Sequence, residues 1–96
     1  MSQLRNILVL TILVCGLGLQ SARAAALQVF ACEPEWAALA GEIGGDRVEA
    51  FAATTGLQDP HQIQARPSLI ARTRRADLMV CTGADLEAGW LPQLLR

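Results

Sequence analysis

The sequence predicts an α/β fold, a parallel sheet with helices on both faces. After the first 26 residues, segments of strand length alternate with amphipathic segments in the order strand, helix, strand, helix, strand, helix. The first strand-like segment is apolar at nearly every position, as expected for a strand covered on both faces. Such strands should be joined by right-handed crossovers, and ligands of such sheets bind beyond the carboxyl ends of the strands.

The first half of the predicted sheet is a strand followed by one helix. Residues 27–32 form the strand, and Pro34 opens the helix, since proline is favoured in the first turn. Gly44 and Gly45 should end the helix, because glycine accepts a left-handed conformation. The apolar residues of the helix fall at helical spacing and make one stripe: Trp36, Leu39, Ala40 and Ile43.

The second half repeats the pattern. Residues 48–53 are predicted as a strand, residues 54–66 as a loop and residues 67–75 as a helix. Residues 77–82 are predicted as the third strand, stopped by Gly83. The apolar residues after it also fall at helical spacing, and Pro92 is expected to divide a short helix from a second one.

Two cysteines end predicted strands. Cys32 ends the first strand and Cys81 lies in the third. If the strand order is 2-1-3, these strands are neighbours, about 4.8 Å apart, which is within the Cα range of a disulfide. A disulfide, two buried thiols and thiolate metal ligands all remain open. The first two are favoured, because zinc held by one histidine and two cysteines would belong to another class of protein.

The N-terminus predicts a signal peptide over residues 1–24, with residues 25–96 as the mature chain. Arg5 precedes an uncharged, mostly apolar run of 13 residues, and Ala22-Arg23-Ala24 has the small-x-small pattern of a cleavage site. The run is shorter than the roughly 20 residues of a membrane span, which disfavours an uncleaved anchor. Val14 is too bulky for the position before a lipoprotein cysteine, so Cys15 is not interpreted as a lipid attachment site.

Composition and missing motifs exclude several functions. Cleavage would remove two of the eight basic residues and leave six against nine acidic ones, a net charge of −3. With no lysine and no basic surplus, nucleic acid is excluded as a partner. No glycine-rich phosphate loop and no Ser-His-Asp arrangement is readable, and the chain is predicted not to be an enzyme.

The segment Asp59-Pro60-His61 carries the candidate metal ligand. His61 is the single histidine, and Pro60 stiffens the turn before it. A neutral imidazole on a stiff loop after a strand is a good transition-metal ligand. Asp59 could orient the imidazole, although a turn-forming role is preferred. Glu87 could be an accessory acid, although a helix N-terminal carboxylate is preferred.

Several motifs together resemble the metal-binding solute-receptor proteins of ABC importers, the cluster that delivers zinc or manganese. The resemblance covers essentially all of the mature chain, and its motifs are specific in combination. They are Val29-Phe30-Ala31-Cys32-Glu33-Pro34-Glu35-Trp36, Asp59-Pro60-His61, Pro67-Ser68, Ala76-Asp77-Leu78 and Gly83-Ala84-Asp85-Leu86-Glu87 with Trp90-Leu91.

The resemblance implies a periplasmic protein of two Rossmann-like lobes, with Zn²⁺ or Mn²⁺ in the cleft between them. It implies that His61 is the first metal ligand and that an ABC permease at the inner membrane is the partner. The other ligands of the family come from later in the chain, so residues 25–96 are expected to be a truncated N-terminal part of the metal-binding lobe. The alternative function is a small secreted Cys/His metal-binding or thiol-disulfide module.

Overall fold

The computed structural model describes residues 1–4 and 24–96. The predicted apolar run, Arg5, Ala22 and Arg23 lie outside the described residues. Within the described part of the chain, no helix combines the length and apolar character needed to cross a membrane. The elements are β1 (Leu27–Ala31), α1 (Pro34–Gly44), a 3-10 turn (Gly45–Arg47), β2 (Val48–Ala52), α2 (Pro67–Arg75), β3 (Leu78–Val80) and α3 (Leu91–Leu94).

The three strands form one parallel sheet in the order β2-β1-β3. Val29 of β1 lies opposite Ala50 of β2 on one side and Leu78 of β3 on the other. The predicted fold class is therefore confirmed, and the strand order is the one in which Cys32 and Cys81 end neighbouring strands. All three carboxyl ends lie at one edge of the sheet, as parallel pairing requires, and the residues that follow β1, β2 and β3 meet there.

Each strand is one or two residues shorter at its carboxyl end than predicted. Pairing continues briefly beyond β1 and β2, since Cys32 N–H donates to the Val80 carbonyl at 2.9 Å and Ala53 N–H donates to the Ala31 carbonyl at 2.8 Å. After β3 the Thr82 N–H donates to a glutamate carboxylate instead of to a neighbouring strand. A side chain thus replaces the sheet partner, which ends the strand.

The helices lie on both faces of the sheet. α1 packs on β1 and β2, and α2 contacts β1 from the other face, where the main core lies. In that core Phe30 and Leu69 are almost fully buried, and the Phe51 ring lies 5.6 Å from the Phe30 ring between centroids. Burying each such side chain contributes about 1.5–3 kcal/mol to folding.

The α1 face is much less covered than its apolar stripe predicted. No residue of α1 is fully buried, and Ile43 remains 79% exposed. The helix ends at Gly44 as predicted, and the following Gly45 takes a φ of +55°, which glycine adopts without a Cβ clash. The predicted helix is therefore confirmed, whereas its stripe lies along the sheet without being enclosed by it.

The prediction for Pro92 was wrong. Residues 84–90 form a run of turns, and Pro92 stands in the first turn of the single short helix α3. The first turn has no intrahelical partner for its N–H groups, so proline costs nothing there. Ala84 and Asp85 have positive φ angles of 53° and 66°, which keep the chain turning just after Gly83.

Candidate functional site

His61 lies in the exposed loop after β2, where the sequence predicted it. The Asp59 Oδ1 atom accepts the backbone N–H of His61 at 3.0 Å and lies 2.8 Å from the His61 Nδ1 atom. These two hydrogen bonds, from the backbone first and the ring second, hold the pKa of Asp59 below its usual range. Because the ionised carboxylate can only accept, Nδ1 carries the hydrogen, and in a neutral imidazole Nε2 then holds the lone pair.

Asp59 therefore has both of the roles that the sequence left open. Its hydrogen bond with the His61 backbone N–H forms the turn, which was the preferred interpretation. Its hydrogen bond with the ring orients the imidazole, which was the other interpretation. Histidines that bind metals commonly donate their second ring N–H to a carboxylate, which fixes the tautomer and the ring. The His61 side chain is 59% exposed, so the imidazole ring is open to solvent.

The loop is held from the far end of the chain. The Trp90 indole N–H donates to the Pro60 carbonyl at 2.7 Å, and Trp90 itself is fully buried. A Cβ atom at Gly89 would lie 3.1 Å from the His61 carbonyl, so the two segments approach closely. In the sequence, Trp90 stood out only as part of the motif that ends in Trp90-Leu91. Its contact with the loop had no sequence signal, since 30 residues separate the partners.

Two glutamates meet at the carboxyl ends of β1 and β3. Glu33 and Glu87 are both only 3% exposed. The Thr82 N–H donates to Glu87 Oε1 at 2.9 Å and to Glu33 Oε2 at 3.3 Å. The Gly83 N–H donates to Glu87 Oε2 at 3.0 Å, and the Trp36 indole N–H donates to the Thr82 hydroxyl at 2.7 Å. Glu87 lies within the run of turns and not at the helix N-terminus that the sequence favoured.

The two carboxyl groups differ in charge. Burial, followed by the hydrogen bond with Glu87, raises the pKa of Glu33 to about 7. Burial also raises the pKa of Glu87, but its hydrogen bonds from Glu33, Thr82 and Gly83 outweigh burial and leave that pKa below its usual range. Glu33 is therefore the protonated member of the pair at acidic pH. Nothing in the sequence indicated that these two carboxyl groups would pair.

We expect the stability of the folded chain to fall as pH rises through the interval from 4.5 to about 7. In that interval folded Glu33 keeps a proton that the unfolded chain has lost, so the stabilisation is complete below pH 4.5 and is lost through pH 7. The loss is on the order of 3 kcal/mol. In urea denaturation across this pH range, the free energy of unfolding of Glu33→Gln should change by about that much less than that of the wild-type chain.

A matched control for this titration is Glu35→Gln, two residues away and exposed. This variant should keep the pH dependence of the wild-type chain, because its carboxyl group is solvated in both states. An equal pH slope in the wild-type chain and in Glu33→Gln would contradict the protonation assigned to Glu33.

Cys32 and Cys81 form a disulfide, with their Cα atoms 4.8 Å apart. The structure thus selects one of the three arrangements that the sequence left open. Cys32 is completely buried, and a carboxylate oxygen of Glu87 lies within 4.8 Å of both sulfurs. Among the ligand-type side chains of residues 1–4 and 24–96, these three form a compact group, and His61 is not part of it.

Comparison with known proteins gives a consistent result. The family model described as the periplasmic zinc-uptake complex component A, ZnuA, matches residues 29–96. The metal ABC transporter substrate-binding lipoprotein FimA of Streptococcus parasanguinis is 28% identical over 88 residues, which are 88% of this chain and 28% of FimA. The manganese ABC transporter substrate-binding lipoprotein PsaA of Streptococcus anginosus is 29% identical over 92 residues, 92% of this chain and 30% of PsaA.

A third relative is named for another metal. The iron ABC transporter substrate-binding lipoprotein MtsA of Streptococcus pyogenes serotype M1 is 28% identical over 82 residues, which are 82% of this chain and 26% of MtsA. The chain spans less than a third of the length of each of these three relatives.

Proposed function

We propose that this chain, which belongs to the family of the periplasmic zinc-uptake complex component A, takes part in capturing zinc and delivering it to an ABC importer. His61 is the proposed first ligand of the captured ion. Residues 25–96 would be the N-terminal part of a metal-binding lobe, with the other ligands supplied by later parts of a longer chain. The work of the protein is binding and release, and no reaction is assigned to it.

The observation that carries this proposal is the fixed imidazole at the carboxyl edge of the sheet. Asp59 holds the ring from Nδ1, Trp90 holds the preceding carbonyl, and the remaining ring nitrogen lies on an exposed side chain. A side chain that binds an ion and then releases it needs both a fixed orientation and access to solvent. This loop provides both, at the sheet edge where α/β proteins bind ligands.

Zinc is proposed as the metal, with manganese as the alternative. The family model is named for zinc, whereas relatives are named for manganese and for iron. An imidazole nitrogen suits zinc and iron, and manganese prefers sites richer in oxygen. His61 alone does not discriminate among these ions, so the ligands that complete the site would set the selectivity.

The proposed setting is the periplasm, with the ABC permease of the inner membrane as partner. Export would use the predicted signal peptide, cleaved after Ala24. The alternative function, a Cys/His or thiol-disulfide module, is less well supported. The sulfurs of Cys32 and Cys81 are joined in a disulfide, and His61 is not grouped with them.

In the full-length protein, we expect His61→Ala to weaken zinc binding by about 100-fold or more, since loss of a group that merely orients a ligand already costs about 10–100-fold. Asp59→Asn should weaken zinc binding by that smaller factor, because the imidazole ring would lose its anionic acceptor. Zinc affinity is measured by competition with a chromophoric chelator. The exposed neighbour Gln62→Ala serves as the control and should bind as the wild type does.

The 96-residue chain with its disulfide intact should bind zinc weakly, since zinc in proteins takes three or four protein ligands. In this chain His61→Ala should have little further effect. Unchanged zinc affinity of His61→Ala in the full-length protein would remove His61 from the site and with it the proposed role of the loop.

A further inference from the structure

We propose that Cys32, Cys81 and Glu87 form a second zinc site, which the disulfide closes and its reduction opens. This site is distinct from the proposed His61 site and does not depend on it. Its three donor atoms, two sulfurs and one carboxylate oxygen, all lie within 4.8 Å of one another. In a tetrahedral zinc site with Zn–S distances of about 2.3 Å, neighbouring sulfurs lie about 3.8 Å apart. Breaking the S–S bond lets the sulfurs separate to that distance.

The sheet keeps the two cysteines together when the bridge is open. Cys32 follows β1 directly, and its N–H donates to the Val80 carbonyl of β3 at 2.9 Å. Cys81 follows Val80, so the backbone pairing of β1 with β3 places both side chains at one edge without help from the S–S bond. The geometry required for a shared ion is therefore present in the strands themselves.

The third donor is held in position by the backbone. The Thr82 and Gly83 N–H groups bind the Glu87 carboxylate at 2.9 and 3.0 Å. Hydrogen bonds of this kind orient a ligating carboxylate around a metal. Glu87 is buried, so its orientation is not averaged by solvent.

A second observation points to a cation at this place. Glu33 follows Cys32 in the chain and is only 3% exposed. Its Oε1 atom accepts no hydrogen bond from the residues that the structure describes. When Glu33 is ionised, such a buried oxygen is costly, and a nearby cation would offset that cost. Glu33 also shares the Thr82 N–H with Glu87, so the two carboxyl groups converge on the same point.

The donor set selects the metal. Two thiolates favour zinc over manganese, because sulfur is a soft ligand and manganese prefers oxygen. Two thiolates and one carboxylate together carry more negative charge than is needed to neutralise one zinc ion. This excess helps to offset the cost of moving the cation out of water. The fourth position of the tetrahedron is left to solvent.

A dithiol reductant can carry out the opening step. One of its thiolates attacks a sulfur of the bridge and breaks the S–S bond, and its second thiolate displaces that sulfur to form the reductant's own disulfide. Two electrons and two protons thereby pass to Cys32 and Cys81, which become thiols. Zinc then binds as both thiol protons leave to solvent. The oxidised chain cannot bind in this way, because bridged sulfurs are not thiolates.

The test uses the 96-residue chain in oxidised form and after reduction by a phosphine, which does not compete for zinc as a thiol would. The reduced chain should bind one zinc at least about 100-fold more tightly than the oxidised chain, measured by chelator competition, since thiolate ligation adds strongly to zinc affinity. Cobalt in place of zinc should give a sulfur-to-cobalt charge-transfer band in the reduced chain. Cys32→Ser should lose both signals.

Glu87→Gln separates a folded site from two thiols on an unfolded chain. It should weaken zinc binding to the reduced chain about tenfold or more, with Asp85→Asn, an exposed carboxylate two residues away, as the matched control. Equal affinity in Glu87→Gln and the wild type, or equal affinity in the oxidised and reduced chains, would overturn the proposal. His61→Ala should leave zinc binding by the reduced chain unchanged. Failure of the second zinc site can therefore be distinguished from failure of the proposed transport site.

Discussion

Replacing Cys32 and Cys81 together by alanine lowers the free energy of unfolding by about 4 kcal/mol, according to the loop-closure entropy of a cross-link with this span. The bridge joins residues 49 positions apart, so it restricts most of residues 25–96 in the unfolded chain. A domain of this size has a total stability of only about 5 kcal/mol. The double variant should therefore keep only about 1 kcal/mol of stability and unfold at low urea concentration, as measured by far-UV circular dichroism.

Reduction of the wild-type chain provides the control for this prediction. Without zinc, the reduced chain should lose a similar amount of stability, because it keeps both side chains and lacks only the cross-link. If the double alanine variant were far less stable than the reduced wild type, packing of Cys32 in the core would be the cause. Equal urea midpoints for the oxidised chain, the reduced chain and the variant would contradict a stabilising bridge.

Trp90→Ala should destabilise the fold by about 3–5 kcal/mol, the usual cost of removing a buried tryptophan. Trp90 is fully buried in the cluster with Phe30 and Leu69, so its removal leaves a large cavity. It also removes the indole that holds the Pro60 carbonyl. We therefore expect faster hydrogen exchange at the backbone amide of His61, in addition to the lower midpoint in urea.

Trp90→Phe separates these two effects. Phenylalanine keeps an aromatic ring in the core but cannot donate to Pro60, so the loss of stability should be smaller, with about 1–3 kcal/mol arising from the unpaired carbonyl. The faster hydrogen exchange at the His61 backbone amide should nevertheless persist. If Trp90→Phe left hydrogen exchange in the loop unchanged while Trp90→Ala raised it, the cavity and not the hydrogen bond would control the position of His61.

Much of the architecture follows from local sequence. The apolar run of β1, the helical spacing of α1 and the proline that opens α2 each depend on near neighbours, and the alternation of these elements predicts parallel pairing. The place of His61 after β2 was predicted on the same grounds, whereas the strand order 2-1-3 was only a condition of the disulfide hypothesis. Pro60 and Asp59 act within two residues of His61, so the stiff turn was also readable.

Other features depend on contacts between distant residues. The Trp90 contact with Pro60 spans 30 positions, and the contacts of Glu33 with Thr82 span 49. Pro92 shows that a local rule can also be ambiguous, because proline is compatible both with a break between two helices and with the first turn of one helix. Ala84 and Asp85 have positive φ angles, and residues 84–90 form turns, so Pro92 lies in a first turn.

The sequence by itself thus determined the parallel sheet and the loop that carries His61, because periodicity and proline act through neighbouring residues. Only the tertiary structure decided that Cys32 and Cys81 are bridged and that Glu33 and Glu87 form a buried pair. It also decided that the α1 stripe is left partly open. Burial and side-chain pairing are set by which residues fold against each other, and that information is distributed over the whole chain.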